Sequence, residues 1–550
     1  MYIRGGIIMK LVKFYLFAGL LLALTSVLSI GGCNGNNGSE TGIPEAIQEI
    51  FDKPLYDEAT WALRVSDLET GEIIYDLNSD ENLFIGSVRK VFTIGEALQA
   101  LGPDFMFNTP VHRQGEVDGE GVLEGDLILV ASGDLTMGGR RLPDDTMDVT
   151  NFDHNDANNL GNAILSTPDP LQGYKGLAQQ IAASGVTRIT GEIIIDDRLF
   201  QPYEFRGEFD IKPIFVNDDV VDIIINPGEP GGPADVDWRP KTAAFSVQST
   251  LETLASGMVN DIEIDPFVPQ CFGMPDCTGL VSGQLSVDAE PPFTGVFPII
   301  QIFRIADPSA YARTVLIEAL TEEGVVVDAD VVAPNPSNLL PPKDSYTPDT
   351  VLAEYVSLPY TEYGKLVLKV SYNIGSDTSL LLWGLENGVD NMEDALVLER
   401  QNLINNIGIP GDEFLFFDGS GGGDTVATNK AVLKMLDYIS KQPFYPGFLE
   451  LLPILGVNGS LGFLKDFESD PTLAGAKGNV YAKSGTKARG TEDGLILDGQ
   501  ALGGYIIASS GRTLIFNLVV NNVPLGFEFE NISQVFEDQG TISAIAWRDN

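Results

Sequence analysis

Gly86-Ser87-Val88-Arg89-Lys90-Val91-Phe92-Thr93-Ile94 is the stretch on which the reading of this chain turns. Behind Ser87 the apolar residues Val91, Phe92, Ile94, Leu98 and Leu101 recur at roughly helical spacing, which predicts a helix over residues 88–101 beginning at the serine. Residues three apart share a helix face, so the Lys90 amine can reach the Ser87 hydroxyl, and the positive end of the helix favours an anionic oxygen there. A hydroxyl beside an amine is a nucleophile beside its base. Alone, Ser-x-x-Lys arises by chance in many chains of this length.

Two further boxes follow in order, Ser371-Tyr372-Asn373 and Lys483-Ser484-Gly485-Thr486. Residues 61–65 and 73–77 read as strands around Glu69-Thr70-Gly71-Glu72, a hairpin that precedes the Ser87 helix. Residues 480–484 read as a strand carrying the lysine box. Residues 502–508 and 513–520 form a second hairpin turning at Ser509-Ser510-Gly511, and residues 531–547 a closing helix. The expectation is an antiparallel sheet built from both ends of the chain, with helices on its faces.

The middle must then be an insertion. Between about residues 107 and 350 short β-rich runs (121–131, 188–196, 220–226, 243–248) are separated by Gly and Pro, and a Pro-rich stretch over residues 333–348 marks the return. Helix is expected again over residues 354–368 and 377–385, with the second box between. The fold class is α+β, an antiparallel sheet flanked by helices. Its catalytic domain divides into residues 44–107 and 350–550, and a β-rich inserted domain of one or two subdomains covers 108–349.

At 550 residues, with 44% apolar residues, the chain can bury more than one core. Lys and Arg number 33 against 78 Asp and Glu, a net charge of −45, which repels nucleic acid and opposes docking on anionic headgroups. Solubility in a saline or crowded exterior accounts for the acid more simply than steering does.

Lys10 and Lys13 precede an apolar run over residues 14–30 that ends in Ser29-Ile30-Gly31-Gly32-Cys33, the order of an export signal with a cysteine for lipid attachment; Met9 is the alternative start. Residues 1–33 read as a lipoprotein-type signal and 34–43 as a flexible tether, which places the chain outside the cytoplasm, in the periplasm, anchored to a membrane through Cys33. An uncleaved membrane anchor is the competing reading. Of the three cysteines, Cys271 and Cys277 can close a short loop in an oxidising compartment, two reduced thiols being the alternative.

The three boxes in this order are the signature of penicillin-interacting serine enzymes. With Leu101-Gly102-Pro103-Asp104-Phe105, Gly125-Asp126-Leu127, Ser132-Gly133-Asp134, Gly191-Glu192-Ile193, Asp196-Asp197, Asp418-Gly419-Ser420-Gly421 and Gly456-Val457-Asn458-Gly459-Ser460-Leu461, the chain resembles the D-alanyl-D-alanine carboxypeptidase/endopeptidase family of penicillin-binding proteins that carry a large insertion between the first two boxes. The likeness implies Ser87 as nucleophile, Lys90 as its base, and Ser371 and Asn373 lining the pocket. It implies Lys483 attracting a substrate carboxylate with the hydroxyls of Ser484 and Thr486, Gly485 keeping the strand edge open, and the N–H groups of Ser87 and Thr486 as oxyanion hole. Its partners would be peptidoglycan stem peptides and β-lactams, with no cofactor. Lys90 must be largely uncharged to act, which requires burial and a neighbouring cation such as Lys483. Tyr372, Ser484 and Lys487 depart from the common pattern: Ser484 keeps a hydroxyl and with it carboxylate binding, while Tyr372 and Lys487 bear on which stem peptide is preferred.

A β-lactamase or esterase on the same scaffold, or a decayed wall-binding lipoprotein, are the rival functions. No Glu-x-x-Leu-Asn box for rapid deacylation follows, and the boxes are intact. Asn151-Phe152-Asp153-His154-Asn155-Asp156 lacks the glycine of a calcium loop and reads as a polar insertion loop, not a metal site. Asp418-Gly419-Ser420-Gly421-Gly422-Gly423-Asp424 lacks Gly-Lys-Ser/Thr and reads as a mobile rim of the cleft. His112 and His154, the only histidines, are expected to be solvated or structural, which nearly excludes a Ser-His-Asp triad.

Overall fold

The computed structural model describes residues 42–492, 494–527 and 530–550. Cys33, the leader and most of the tether lie outside them. Among the described residues no helix is long and apolar enough to cross a membrane.

Both ends of the chain meet in one five-stranded antiparallel sheet. Strands β1 (Thr60–Asp67) and β2 (Ile73–Leu77) form the predicted hairpin, and β3 (Val480–Thr491), β4 (Gly494–Ile507) and β5 (Thr513–Gly526) complete the order β2-β1-β5-β4-β3. Trp61 stands opposite Val520, and Lys483 opposite Gly503. Successive strand residues point to opposite faces. Ala501, Tyr505, Ile515 and Val519 therefore bury in one core with the helices α1 (Lys90–Leu101), α2 (Asn373–Glu386) and α3 (Asn429–Ser440). Leu502, Ile506, Leu514 and Leu518 bury on the other side under Ile542 and Ile545 of α4 (Glu530–Asp549). The α+β architecture, an antiparallel sheet with helices on its faces, is the one the sequence predicts.

Ser87 itself lies just before the α-helix. Gly86–Arg89 is one 3-10 turn, and α1 starts at Lys90. Side chains three apart eclipse in such a turn, which aligns Ser87 with Lys90 more closely than an α-helix would.

Between the first two boxes, Met106–Val117 and Val351–Pro359 pair antiparallel, so the chain departs and returns on neighbouring strands. Residues 354–359, expected to be helical, are therefore strand, with Glu354 opposite Pro110. Pro359, extended at φ −58°, delays the helix to Tyr360–Lys369. These strands share a sheet with Val122–Val130, Arg188–Ile189, Ile193–Asp196 and Val326–Val327. Two further sheets are built around Val220–Asn226 and Thr278–Ser286. The segment is less purely β than its texture suggests, because Gln172–Ala183 and Pro308–Glu322 pack into the same core through Tyr174, Leu177, Val315 and Leu316. Cys271 and Cys277 are bonded, with Cα atoms 5.3 Å apart.

Candidate active site

The edge strand β3 lies against the serine turn. A Cβ on Gly485 would stand 2.1 Å from the Ile85 carbonyl oxygen and 2.7 Å from the Ser87 nitrogen, and one on Gly86 (φ 47°) would stand 3.1 Å from the Thr486 nitrogen. Only glycine permits this approach. It brings the backbone nitrogens of Ser87 and Thr486 to the same rim of the cleft.

Lys90 is wholly buried. Its Nζ lies 2.6 Å from Ser87 Oγ, 2.7 Å from Asn373 Oδ1 and 2.8 Å from the Ser420 carbonyl oxygen. A neutral amine has two N–H groups and one lone pair. The amide and carbonyl oxygens can only accept, so they take the two N–H groups, and the lone pair is left facing the Ser87 hydroxyl. Burial, reinforced by the positive charge of Arg206, lowers the amine to about 7, so the neutral form is populated near physiological pH.

Arg206 comes from the insertion. Its Nη2 donates to Ser420 Oγ at 3.0 Å and lies 3.7 Å from the Asp418 carboxylate. The neighbouring cation that lowers Lys90 is thus Arg206 rather than Lys483, the one the sequence suggested. The Lys483 amine is itself held well below its ordinary range by burial and by Lys90. Removing Arg206 should let Lys90 hold its proton more tightly. Arg206→Gln is therefore expected to move the acid limb of the acylation pH profile upward from about 7, in stopped-flow measurements with a chromogenic β-lactam. An unmoved limb would remove Arg206 from this role.

Of the segment 418–424, expected as a mobile rim, residues 418–422 are instead fixed in the floor, while Gly423 and Asp424 are exposed at the rim. Asp418 is buried and accepts the N–H groups of Ser420, Gly421 and Gly422, while the Gly419 carbonyl accepts from Thr93 and Ser376. These bonds turn the Ser420 carbonyl onto Lys90.

In the second box Ser371 takes φ 65°, a left-handed conformation costing a non-glycine residue about 1–3 kcal/mol. Asn373 opens α2. Tyr372 is buried, its hydroxyl 3.4 Å from the Asp218 carbonyl oxygen.

In the third box Lys483 Nζ donates to the Ser484 carbonyl at 2.7 Å. Ser484 Oγ and Ser460 Oγ lie 2.7 Å apart, and Thr486 Oγ1 donates to Gln500 Oε1 at 2.5 Å. Lys487, at the rim, reaches the Gly423 carbonyl and Asp424. The loop bearing Ser460 is tied down by Lys369, whose Nζ donates to Asn458 Oδ1 and the Leu452 carbonyl, both at 2.9 Å. Arg206, Lys369 and the specific roles of Ser420 and Ser460 escape the sequence reading. Asp418-Gly419-Ser420-Gly421 and the run 456–461 were noticeable as motifs, but nothing in Glu204-Phe205-Arg206 marks it out.

His154 is buried and structural, away from solvent. Nδ1 lies 2.7 Å from Asp222 and Nε2 3.0 Å from Asp218; burial opposes its charge, but these carboxylates and Asp153 prevail and lift it to about 9. Asp153, His154 and Asp218 could geometrically hold a metal ion, yet the Arg140 guanidinium already pairs with Asp153 at 2.7 Å and with Asp218. His112 is buried as well and contacts Thr350 at 2.8 Å beside the Tyr346 ring.

A family model described as the D-Ala-D-Ala carboxypeptidase 3 (S13) family matches residues 43–536. The chain is 26% identical over 502 residues to a D-alanyl-D-alanine carboxypeptidase of Actinomadura sp. (strain R39), covering 88% of this chain and 81% of that protein. It is 23% identical over 479 residues to the D-alanyl-D-alanine carboxypeptidase DacB of Haemophilus influenzae, covering 84% and 85%. The crystal structure of penicillin binding protein 4 from H. influenzae superposes with a TM-score of 0.64 at 19% identity, over 90% of this chain and 98% of that one. At that identity the superposition speaks to the fold.

Proposed function

Because the chain belongs to the D-Ala-D-Ala carboxypeptidase 3 (S13) family of serine-type peptidases, we propose that it cleaves D-Ala-D-Ala ends or cross-links of peptidoglycan stem peptides through an acyl-enzyme on Ser87. The observation that carries this reading is the Lys90 amine, its two N–H groups engaged by Asn373 and Ser420 and its lone pair 2.6 Å from Ser87 Oγ. Lys90 takes the hydroxyl proton as Oγ attacks the carbonyl of the penultimate D-alanine. The N–H groups of Ser87 and Thr486 receive the oxyanion. The proton passes through Lys90 and Ser371 to the departing amine, and water hydrolyses the ester. An arriving substrate carboxylate favours the charged form of Lys483 and is held by it with the hydroxyls of Ser484 and Thr486. Gly485 keeps that edge open. β-Lactams acylate the same serine.

In this reading residues 44–107 and 350–550 form the catalytic domain and 108–349 the inserted one, which supplies Arg206. The protein acts outside the cytoplasm, in the periplasm, tethered through a lipid on Cys33. The residue order around Cys33 and the bonded Cys271 and Cys277 support that location. Incubation with a peptide ending in D-Ala-D-Ala is expected to release D-alanine, and fluorescent penicillin to block release while adding one acyl group per chain, on Ser87, by mass spectrometry. Absence of both release and acylation in folded protein would overturn the proposal.

A further inference from the structure

Next to the third box, outside the catalytic constellation, lies a cleft of about 480 Å³ lined by Asn151, Phe152, Phe293, Phe463, Lys465 and Glu537. Its volume lies within the range of small-molecule sites, ~300–1,000 Å³. The insertion, the segment 462–465 and α4 all contribute to its walls. The rings of Phe152 and Phe293 stack with centroids 4.5 Å apart at 20°, and Phe463 stands 6.1 Å from Phe152. Phe293 is 44% exposed and Phe463 37% exposed. Phe293 holds φ 63° within the turn Pro291-Pro292-Phe293-Thr294-Gly295, closed by the Gly295 N–H on the Pro291 carbonyl at 2.9 Å, which presents its ring to the cleft.

The cleft is joined to the active site by two bonds. Asn151 Oδ1 accepts the Gly459 N–H at 2.9 Å, and the next residue, Ser460, contacts Ser484 of the third box at 2.7 Å. On the opposite wall Glu537 fixes the segment 463–466 by accepting the N–H groups of Lys465 and Asp466 at 2.9 and 3.0 Å. The Lys465 ammonium has no ion-pair partner among the described residues.

We propose that this cleft binds an N-acetylated amino sugar of the glycan strand that carries the stem peptide, an assignment that rests on the peptidase reading above. Flat, partly exposed rings offer apolar faces to the C–H side of a pyranose, while an amide, an ammonium and a carboxylate at the rim suit its hydroxyl and acetamido groups. A neutral sugar meets no repulsion from a chain of net charge −45, whereas a phosphorylated or nucleic-acid ligand would. The mixed polar rim also disfavours a lipid tail.

The disaccharide N-acetylglucosaminyl-N-acetylmuramic acid with its lactyl carboxyl capped as the methylamide, which is neutral, carries no peptide and needs no turnover, tests the cleft by titration calorimetry. Wild type is expected to bind it, and Phe463→Ala and Phe293→Ala to weaken that binding roughly tenfold. In parallel, the ratio of kcat/KM for a disaccharide-linked D-Ala-D-Ala peptide over the same free peptide should fall roughly tenfold in both variants, chiefly through KM. Failure of wild type to bind the disaccharide, or an unchanged ratio in both variants, overturns the cleft assignment whatever the peptidase assay gives. Sugar binding without any peptide cleavage overturns the peptidase reading instead and leaves the sugar site standing.

Discussion

Lys90→Met is expected to slow acylation of Ser87 on the order of 10²–10⁴-fold, the range that a positioned general base supplies. Methionine fills a similar buried volume, but its thioether sulfur is not basic enough to take the hydroxyl proton and it has no N–H groups. The Asn373 Oδ1 and Ser420 carbonyl that Lys90 satisfies at 2.7 and 2.8 Å would lose their donor, at about 1–3 kcal/mol each, so the unfolding midpoint falls as well. Ser87→Ala separates the two effects, because it removes the nucleophile while leaving both of those bonds in place. It should lose acylation entirely and keep the midpoint. The double variant should acylate no worse than Ser87→Ala, since nucleophile and base act as a unit. The pH dependence has a definite sign. The neutral amine is the competent base and titrates at about 7, so the wild-type rate should rise with pH through that value and then level off, whereas Lys90→Met should be flat there. Acylation of Lys90→Met within tenfold of wild type would assign the base elsewhere.

Legibility in the sequence follows how locally each piece of chemistry is encoded. Ser87 and Lys90 lie on one turn, and Lys483 to Thr486 on one strand, so their spacing carried their geometry. The sheet was legible for the same reason, because alternation along β4 and β5 is local. Arg206 was not, since its charge acts on Lys90 from the insertion, where it is held against Ser420, 214 residues from it in sequence. The helix expected at residues 354–359 failed because tertiary pairing with residues 106–110 overrode local preference, and Pro359 was the available warning. The glycine-rich run 418–424 looked mobile by composition. What makes residues 418–422 rigid is one buried aspartate gathering three N–H groups, a long-range packing outcome that composition does not encode.

Arg89→Met is expected to destabilise the fold by about 3–5 kcal/mol, the cost of stripping one partner from a buried ion pair. Arg89 sits inside the first box yet faces away from the chemistry. Its Nη2 donates to Glu399 Oε2 at 2.6 Å, its Nε donates to the Asp418 carbonyl at 3.1 Å, and its guanidinium lies 4.2 Å over the Phe416 ring. Two neighbouring oxygens, Glu96 Oε2 and Glu399 Oε1, have no donor. Burial, with the negative charge of Glu399, pushes the Glu96 carboxyl well above the usual carboxylate range, so Glu96 keeps its proton and donates it to Glu399, which satisfies both oxygens. Asn402 donates to the other Glu96 oxygen at 2.7 Å. The linkage then has one sign. Glu96 is protonated in the folded chain at a pH where it is ionised when unfolded, so folding takes up a proton, and stability falls as pH rises from the ordinary glutamate value toward the raised one. Glu96→Gln keeps a donor for Glu399 without the titration and should flatten that decline, whereas Arg89→Met leaves Glu399 unneutralised and should lower stability at every pH where Glu399 is charged. Urea denaturation of the three proteins across pH measures both effects. Equal midpoints for wild type and Arg89→Met would mean that this buried pair contributes nothing to the stability of the fold that holds the Ser87 turn.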